Sequence, residues 1–472
     1  MKRIVVVGAG FGGLEATADL DRMFRADAGV EIILISDQNY LLFTPLLPQI
    51  ASSFTDPRHI VQAVREIRGK RRFRFRRETV RTVDPGKRRV VLESGPLEYD
   101  ALVLAPGSRT DYFNIPGARE NTWDYKSLQN AVELRDRIID LCEHADHTED
   151  AKERRRMLTF VVVGGGYTGI ELVTEMHDFL FRYVARVYRG IPASEIRLVV
   201  LEATPDILGG IGPKLAQHAR KRLDISGMEI RVSTRATRLL EGAVEINGGE
   251  IIEADTVIWT AGVRASELIE SLPGPHDRIG RAVVNAHLQL EGHPEIFVVG
   301  DSAAAVTAPD TPRVAPAAIQ QAHIAAANVR HMWSGEPLES FDYKSRGMLV
   351  SLGMNYAVVN VGGIQISGYF AWLFWNAVHL YKLVGLKKQL QVAGDWVLGL
   401  IFPRDAAIVR RPGRCRICGA KRLESKSAHR SSGGPQLKPE VSREPVQGRL
   451  AIVSQVTNLA HRAAEPRPNV PA

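Results

Sequence analysis

Residues 160–175, FVVVGGGYTGIELVTE, join a run of branched apolar side chains to three spaced glycines and an apolar segment with helical character. The glycines are Gly164, Gly166 and Gly169, and their spacing is that of a dinucleotide-binding turn. Such glycines allow a tight strand-to-helix turn, close approach of the backbone to a pyrophosphate, and close helix packing. The stretch therefore predicts a strand, a phosphate-binding turn and a helix within a parallel sheet.

The same pattern occurs earlier, at residues 3–15, RIVVVGAGFGGLE. Residues 3–7 are predicted to form a buried parallel strand, residues 8–13 the turn, and residues 14–24 a helix whose N-terminus faces a phosphate. Glycines that serve only as a turn are the alternative, and the recurrence of strand, glycines and helix argues against it. Two such units predict two dinucleotides, and two dinucleotides indicate electron transfer between them.

The composition indicates a globular protein of two or three domains, since the 472 residues are 45% apolar. The N-terminus enters a strand almost at once, so we expect no secretory signal and a location on the cytoplasmic side. Three cysteines, Cys142, Cys415 and Cys418, are too few to staple so long a chain, which fits a reducing compartment. The net charge of +8 suits a polyanion, either nucleic acid or an anionic membrane surface.

The strongest basic run is REIRGKRRFRFRR, residues 65–77. Within it, arginines alternate with Phe73 and Phe75, as in a half-buried strand with one charged face. Basic residues interleaved with aromatics also occur in nucleic-acid-binding proteins, but no nucleic-acid module accompanies this run. We therefore predict a solvated strand face and no nucleic-acid partner.

Each glycine turn is followed by a second strand that ends near an acid. Residues 30–36, VEIILIS, end at Ser36 with Asp37 next to it, and either side chain can accept a ribose hydroxyl. Residues 196–201 form the corresponding strand of the second unit, and Glu202 follows it. A carboxylate at this point suits the two ribose hydroxyls of NADH and repels the extra phosphate of NADPH.

One further repeat supports a duplicated architecture. Residues 255–262, DTVIWTAG, repeat the theme of residues 99–107, YDALVLAPG: an acid, an apolar strand and a turn of small residues. Residues 295–301, EIFVVGD, place Asp301 at the carboxyl end of another strand, where it can bind a sugar or ribityl hydroxyl or cap a helix. Residues 39–53 are apolar but broken by prolines, which predicts a stiff loop against the first nucleotide or against another domain.

The C-terminal part changes character after Arg346, and no Asp, Glu, Lys or Arg occurs before Lys382. Residues 347–367 are predicted to form two strands and a turn, residues 368–386 an aromatic-rich helix, and residues 390–402 a second apolar segment. These stretches are short for a membrane span, so an interfacial helix pair is favoured; a dimer interface is the alternative, and both can hold. Residues 403–472 are basic and predicted to be mostly disordered, with Cys415 and Cys418 resembling half a zinc knuckle.

These motifs carry a resemblance to a known family. The two glycine turns, the turns Ala105-Pro106-Gly107 and Thr260-Ala261-Gly262, and Gly300-Asp301 resemble the two-dinucleotide flavoprotein reductases of the glutathione reductase type. Within that superfamily, residues 1–405 resemble a type II NADH dehydrogenase, the single-subunit, non-pumping NADH:quinone oxidoreductase. The more specific signs are NYLLFTPLLPQIAS, VVGGGYTGIEL, VIWTAGVRAS, VGDSAA and SGYFAWLFWNAVHLYKLVG.

The resemblance implies an α/β fold with two Rossmann-like domains and a C-terminal membrane-associating region. Residues 1–120 and 280–335 would bind FAD, residues 121–279 would form an inserted NADH domain, and residues 336–402 would contact membrane, partner subunit and quinone. Glu171 and Gln320 are implied as catalytic residues, and no metal is expected. A carboxylate that is stabilised by the N-terminus of its own helix is the alternative role for Glu171. FAD would contact Gly8, Gly10, Phe11, Gly12, Gly13, Ser36, Asp37, Val80, Ala105, Gly107, Asp301 and Ala318; NADH would contact Gly164, Gly166, Thr168, Gly169, Glu202 and Gly262.

The quinone side is where the sequence departs from the family pattern. The family often carries Ala-Gln-x-Ala-x-Gln near the flavin, whereas this chain has Pro316 in place of the first glutamine and keeps Gln320. The acceptor is therefore a membrane quinone, an unusual quinone or another molecule. Because the body of the chain contains only Cys142, the thiol-based routes of disulfide and sulfide:quinone reductases are disfavoured.

The resemblance also implies a setting for the reaction. Residues 368–402 would hold the protein peripherally on the cytoplasmic face of the cell membrane, and a homodimer is expected. A soluble reductase of a protein partner such as ferredoxin, and a non-catalytic FAD/NAD-binding redox sensor, are the competing hypotheses.

Overall fold

The computed structural model describes residues 1–68 and 71–408. Most of the predicted tail at residues 403–472, including Cys415 and Cys418, lies outside the described residues. Elements are numbered in chain order. The strands are β1 Lys2–Val7, β2 Val30–Ser36, β3 Tyr40–Leu42, β4 Val61–Ala63, β5 Arg74–Arg77, β6 Val80–Asp84, β7 Arg89–Leu92, β8 Gly95–Glu98, β9 Ala101–Leu104, β10 Ser108–Thr110, β11 Trp123–Asp124, β12 Thr159–Val163, β13 Arg197–Leu201, β14 Glu229–Arg231, β15 Ala236–Leu240, β16 Ala243–Ile246, β17 Glu250–Glu253, β18 Thr256–Trp259, β19 Val263–Ala265, β20 Ala282–Val284, β21 Gln289–Leu290, β22 His293–Val298, β23 Ala303–Ala305, β24 Met348–Ser351, β25 Ala357–Val361 and β26 Ile364–Gly368.

Helices connect these strands and cover the sheets. The α-helices are α1 Phe11–Met23, α2 Leu47–Ala51, α3 Val64–Arg68, α4 Ala118–Asn121, α5 Leu128–Ala145, α6 Ala151–Met157, α7 Tyr167–Phe179, α8 Ala185–Val187, α9 Pro213–Ile225, α10 Glu267–Glu270, α11 Ala315–Ser334, α12 Tyr369–Lys382 and α13 Leu386–Ile401.

The first glycine turn belongs to an eight-stranded sheet with the order β23-β20-β21-β22-β9-β1-β2-β5. Its centre is parallel, because β1 pairs in parallel with β2 and β9, and β22 pairs in parallel with β9. These strands read as continuous apolar runs since both faces of the sheet are covered; Ile4, Val5 and Val6 are fully buried. Helices α1 and α11 pack together on one face of this sheet.

The second glycine turn belongs to a five-stranded parallel sheet with the order β11-β18-β12-β13-β14. Its central strand β12 lies between β13 and β18, as β1 lies between β2 and β9 in the first sheet. In both sheets one neighbour is the next strand of the glycine-turn unit, and the other precedes a turn of small residues. The similar stretches DTVIWTAG and YDALVLAPG therefore form β18 and β9, which occupy equivalent positions in the two sheets.

The chain passes from the first sheet to the second and back again. The eight-stranded sheet takes strands from residues 2–104 and 282–305, the five-stranded sheet from residues 123–259, and β10 and β19 pair antiparallel between them. The predicted domain boundaries at residues 120, 279 and 335 stay a prediction.

Two local predictions need correction. Residues 347–367 were expected to form two strands, but they lie in an antiparallel sheet of three, β24-β25-β26. Gly362 and Gly363 both have positive φ, +59° and +83°, and form a two-residue hairpin turn that lets the chain return as β26. Residues 39–53 are not a plain loop: they contain β3 and α2, and Pro48 is accommodated in the first turn of α2, where no backbone donor is needed.

The basic run agrees with its predicted pattern. Phe73 and Phe75 are buried, whereas Arg74 is exposed and pairs with Glu31 at 2.7 Å. The predicted aromatic helix is α12, and the second apolar segment forms most of α13. Within the described part of the chain, no helix combines the length and apolar content needed to cross a bilayer.

Candidate active site

A cavity of about 1000 Å³ opens where the carboxyl ends of the strands of the two sheets meet. Residues that follow β1, β9, β18 and β22 line it, as ligand sites beside parallel sheets do. Its volume is at the upper end of the range of about 300–1,000 Å³ for small-molecule sites, which suits dinucleotides. The predicted site residues on its wall are Gly8, Gly10, Phe11, Gly12, Ser36, Asp37, Val80, Ala105, Gly107, Thr168, Glu171, Gly262, Asp301 and Ala318.

The first glycine turn has the geometry of a phosphate cradle. Gly8 has φ +99°, and a Cβ there would lie 2.2 Å from the Ala105 carbonyl oxygen. A Cβ on Gly13 would lie 1.8 Å from the Gly8 carbonyl oxygen, so this glycine serves close packing of α1 on the turn. At Gly10 a Cβ would meet no atom within 4 Å, and the space in front of it belongs to the cavity. The turn therefore fits a pyrophosphate at the N-terminus of α1.

The second glycine turn repeats this geometry. Gly164 has φ +113°, a Cβ on Gly169 would lie 2.0 Å from the Gly164 carbonyl oxygen, and Gly166 has open space before it. These three glycines are not on the cavity wall; they stand beside it, with Thr168 reaching the wall.

Glu202 lies next to the second turn, as predicted. Its Oε2 accepts a hydrogen bond from the Gly165 N–H at 2.7 Å, and its Oε1 accepts one from the Thr204 N–H at 2.7 Å. These two backbone donors fix the carboxylate beside the turn, where it is placed to meet a ribose.

Ser36 ends β2, Asp37 follows it, and both residues line the cavity. The Gln38 N–H donates to Ser36 Oγ at 3.3 Å and to Asp37 Oδ1 at 2.9 Å. Ser36 is nearly buried and Asp37 is exposed, so the carboxylate is the more accessible acceptor. The structure leaves both in reach of the cavity.

Asp301 belongs to a hydrogen-bonded chain that the sequence did not indicate. Ser108 Oγ donates to Asp301 Oδ2 at 2.6 Å, and Lys126 Nζ donates to Ser108 Oγ at 2.9 Å. Burial lowers the pKa of Lys126, and the carboxylate of Asp301 opposes this shift. Lys126 follows the two-residue strand β11, for which no periodic pattern gave a signal.

Glu171 stands in the first turns of α7 and faces the cavity. Its Oε1 accepts a hydrogen bond from the Ser351 N–H at 2.9 Å, so β24 of the C-terminal sheet reaches the site. Burial raises the pKa of Glu171 to about 8, and the Ser351 N–H and the Trp375 indole oppose this rise only partly. The Glu171 carboxyl is thus mostly protonated at neutral pH and can hold or give a proton.

Tyr125 is a second residue that sequence reasoning missed. It lines the cavity, its side chain is 4% exposed, and its hydroxyl has no hydrogen-bond partner among the described residues. A buried hydroxyl without a partner is costly, but this oxygen exposes less than 1 Å², so a molecule in the cavity does not reach it in this conformation. The open space before Gly10 is the observation that fits a large polar ligand.

The catalytic role of Gln320 stays a prediction. Its amide nitrogen donates to the Lys344 carbonyl at 3.0 Å, its amide oxygen accepts from the Lys344 N–H at 3.1 Å, and it is not on the cavity wall. Pro316 lies in the first turn of α11, where a missing N–H costs nothing. The cavity is bounded here by Arg313, Val314 and Ala315 instead.

Helices α12 and α13 present an apolar surface to solvent. Phe370 is 77% exposed and Tyr381 is 84% exposed on α12, while Leu390 and Ile401 on α13 are exposed to 65% and 70%. The other exposed apolar residues of this surface are Tyr369, Leu373, Phe374, Leu386, Val397, Leu398, Leu400 and Phe402. We call this set the helix-pair surface.

Two family models match the chain. Residues 2–322 match the pyridine nucleotide-disulphide oxidoreductase family, and residues 345–405 match the NDH2 C-terminal domain. The second match ends just after α13.

Solved structures confirm the fold. The structure of NDH2 from Plasmodium falciparum in complex with NADH superposes with a TM-score of 0.78 at 19% identity, covering 86% of this chain and all of that one. The sulfide:quinone oxidoreductase of Aquifex aeolicus gives a TM-score of 0.67 at 21% identity, covering 88% of this chain and 100% of that chain.

Among curated relatives, the type II NADH:quinone oxidoreductase of Staphylococcus epidermidis is 31% identical over 85% of this chain and 98% of its own length. The type II NADH:quinone oxidoreductase NdhA of Mycobacterium tuberculosis is 33% identical over 98% of this chain and 97% of its own length. With 33% identity along nearly the whole chain and a C-terminal part that matches the NDH2 model, the chain belongs to the type II NADH:quinone oxidoreductase family.

Proposed function

We propose that this protein oxidises NADH with FAD as its resident cofactor and passes two electrons to a quinone dissolved in the membrane, without pumping protons. The observation that carries this proposal is the single cavity into which both sheets lead. A first turn at Gly10 and a second unit that contributes Thr168 and Glu171 meet there, as a reaction between two nucleotides requires.

FAD would be held by the first unit. The turn at Gly8 to Gly13 would bind the pyrophosphate, Ser36 or Asp37 the ribose, and Val80 the adenine. Asp301, supported by Ser108 and Lys126, would bind the ribityl chain, with Ala105, Gly107 and Ala318 along the ring. When bound, FAD supplies hydride acceptance and two-electron transfer, while the protein supplies position and exclusion of water.

NADH would dock on the second unit. Gly164, Gly166 and Gly169 would bind its pyrophosphate, Glu202 its ribose, and Thr168 and Gly262 would border the nicotinamide end. Glu202 is already held by two backbone donors, so it needs no rearrangement to accept ribose hydroxyls. The same charge disfavours NADPH.

Glu171 would hold and donate a proton during quinone reduction. Reducing a quinone to a quinol with NADH takes up one proton beyond the hydride, so a dry site needs a proton donor. The Glu171 carboxyl faces the cavity and its raised pKa keeps it protonated near pH 7. Gln320 is not included, because its amide is engaged by the Lys344 backbone.

The helix-pair surface would hold the protein on the cytoplasmic face of the membrane as a peripheral protein. Exposed aromatic and aliphatic side chains beside Lys382, Lys387 and Lys388 match the headgroup boundary of a bilayer. A homodimer would present two such surfaces and bind more firmly. A lipid-soluble quinone would then reach the cavity without crossing water.

The test combines flavin reduction with membrane binding. NADH should bleach the absorbance of the bound flavin, a quinone in vesicles should restore it, and the protein should float with those vesicles. Phe370→Ser with Leu390→Ser should abolish flotation and slow reoxidation by vesicle-bound quinone, yet leave bleaching intact. Ile251→Ser is the matched control, since Ile251 is 53% exposed but lies on β17. Flotation that survives the double substitution would refute the helix-pair surface as the membrane anchor, and absence of flotation in the unsubstituted protein would favour the soluble reductase of a protein partner.

A further inference from the structure

A second buried acid lies one helical turn after Glu171. Glu175 is 5% exposed, and its Oε2 accepts a hydrogen bond from Ser52 Oγ at 2.9 Å. The same oxygen lies 3.4 Å from Nη1 of Arg404. Residues four apart share one face of a helix, so Glu175, which holds Arg404, lies on the same face of α7 as Glu171.

Arg404 follows α13 by three residues, yet its side chain is only 7% exposed. Its Nη1 donates to the Ser52 carbonyl at 3.1 Å and to the Glu175 carbonyl at 3.3 Å. Its guanidinium lies 4.7 Å from the centre of the Phe54 ring. A single side chain thus ties the end of the C-terminal segment to α7 and to the segment after α2.

We propose that the buried Arg404–Glu175 pair is a positioning pair for Glu171. The pair fixes a negative charge one helical turn away from the Glu171 carboxyl, and it anchors the chain that leaves the helix-pair surface. The inference rests on the proton role proposed for Glu171. Neither Arg404 nor Glu175 lines the cavity, so they act through Glu171 and do not touch the reactants.

The physical basis is the low polarity of this region. A carboxylate close to another carboxylate disfavours its ionisation, and the effect is strong where water is excluded. Burial raises the pKa of Glu171 first of all, and the neighbouring Glu175 raises it further. Burial also raises the pKa of Glu175, and Arg404 opposes this by favouring the charged form.

One further ionisable neighbour of Glu175 on α7 is Asp178, which is paired with Arg182 at 2.9 Å and whose charge adds to the rise of the Glu175 pKa. Helix α2 and strands β12 and β24, which pack against α7, carry no ionisable side chain, and Arg197 on β13 is engaged by Glu229. Tyr125 stands near both glutamates, and their charges add to the burial that raises its pKa. His379 of α12 lies behind Trp375, and burial lowers its pKa to about 4, so it is neutral near pH 7.

Glu175→Gln is the direct test. It keeps the shape and the acceptor oxygen for Ser52 but removes the charge, so Glu171 should lose its proton at lower pH. Infrared difference spectroscopy of the full-length holoprotein, with Glu171→Gln to assign the carboxyl band, should show the titration midpoint lowered by roughly one pH unit. The pH above which the rate of quinone reduction falls should be lowered by the same amount.

Glu295→Gln is the matched control. Glu295 is also a buried glutamate paired with an arginine, Arg88 at 3.7 Å, but it lies on β22 of the eight-stranded sheet. Its neutral variant should leave the Glu171 titration in place. Arg404→Met should also shift the pH midpoint at which Glu171 loses its proton. The shift should be clearly smaller in a protein that already carries Glu175→Gln.

Two results would separate the possible failures. If Glu171→Gln leaves the pH profile of quinone reduction unchanged, the proposed proton role of Glu171 is wrong. If Glu171→Gln removes the alkaline limb but Glu175→Gln and Arg404→Met leave the Glu171 band where it was, the role is right and the positioning pair is refuted.

Discussion

Gly166→Ala should weaken NADH binding without a loss of stability, whereas Gly169→Ala should lower stability, although the two glycines belong to the same turn. Gly166 caps α7 with φ −73°, a conformation open to any residue, and its Cβ would enter empty space. Gly169 lies inside the helix, and its Cβ would lie 2.0 Å from the Gly164 carbonyl oxygen. Ordinary contact begins at 3.4 Å, so α7 would have to shift by more than about 1 Å.

The expected magnitudes follow from this geometry. Overpacking of this kind costs about 1–3 kcal/mol, so Gly169→Ala should lower the unfolding temperature. Gly166→Ala should leave stability unchanged or raise it by about 0.4–1 kcal/mol, because alanine restricts the unfolded chain. Its methyl group would instead stand where the pyrophosphate of NADH approaches. The loss of one hydrogen bond to a charged oxygen, about 1.5–3 kcal/mol, raises the KM for NADH about tenfold to a hundredfold.

The assay is thermal unfolding of each variant together with steady-state NADH oxidation at saturating quinone. Gly10→Ala is the counterpart in the first turn, where a Cβ also meets nothing within 4 Å. It should fold normally and lose FAD on dilution, yet keep the wild-type KM for NADH when FAD is resupplied. A wild-type KM in Gly166→Ala would refute the placement of the pyrophosphate, and a wild-type unfolding temperature in Gly169→Ala would refute the packing argument.

Three further predictions concern single side chains at the cavity. Glu202→Gln keeps the acceptor oxygens but removes the charge, so the ratio of kcat/KM for NADH over NADPH should fall by about tenfold or more; an unchanged ratio would remove Glu202 from the ribose site. Turnover should fall as pH rises through about 8, where Glu171 loses its proton, and Glu171→Gln should lack this limb. Tyr125→Phe removes a buried hydroxyl that has no hydrogen-bond partner within the described residues, so the unfolding temperature should hold or rise and the KM for NADH should stay at the wild-type value; a raised KM or a loss of FAD would show that a ligand reaches the hydroxyl after all.

Much of the fold was predictable because its determinants are local. The two glycine turns combine an apolar strand, a fixed glycine spacing and an amphipathic helix within about 25 residues each, and both formed as predicted. The alternation around Phe73 and Phe75 likewise fixed which face of β5 is buried.

The third strand of the C-terminal sheet was missed because its signal is weak. Its first residues, Ile364 to Ile366, are exposed, so β26 lacks the apolar alternation that marks a half-buried strand. Gly362 and Gly363 indicate a turn, but a glycine pair can either end a strand or join two strands of a hairpin. Only the pairing of β26 with β25 decides between these alternatives.

The site residues that sequence reasoning missed depend on contacts distant along the chain. Arg404 and Glu175 are 229 residues apart, and Ser351 and Glu171 are 180 residues apart. No local pattern predicts such pairs, because they arise only when the C-terminal segment packs on α7. Gln320 shows the converse: a motif position can be kept while its side chain is engaged elsewhere.

The two turns have equal backbone geometry but different surroundings. Gly10 and Gly166 cap their helices with nearly the same φ and ψ, −76° and −170° against −73° and −174°, and both are exposed. The backbone cannot therefore distinguish a resident nucleotide from a transient one. The position of the cavity differs, because Gly8, Gly10 and Gly12 lie on its wall, whereas the second unit reaches the wall at Thr168 and Glu171 and not at Gly164, Gly166 or Gly169. A nucleotide on the first turn would therefore extend along the cavity from its phosphates onward, whereas a nucleotide on the second turn would enter the cavity only beyond its phosphates.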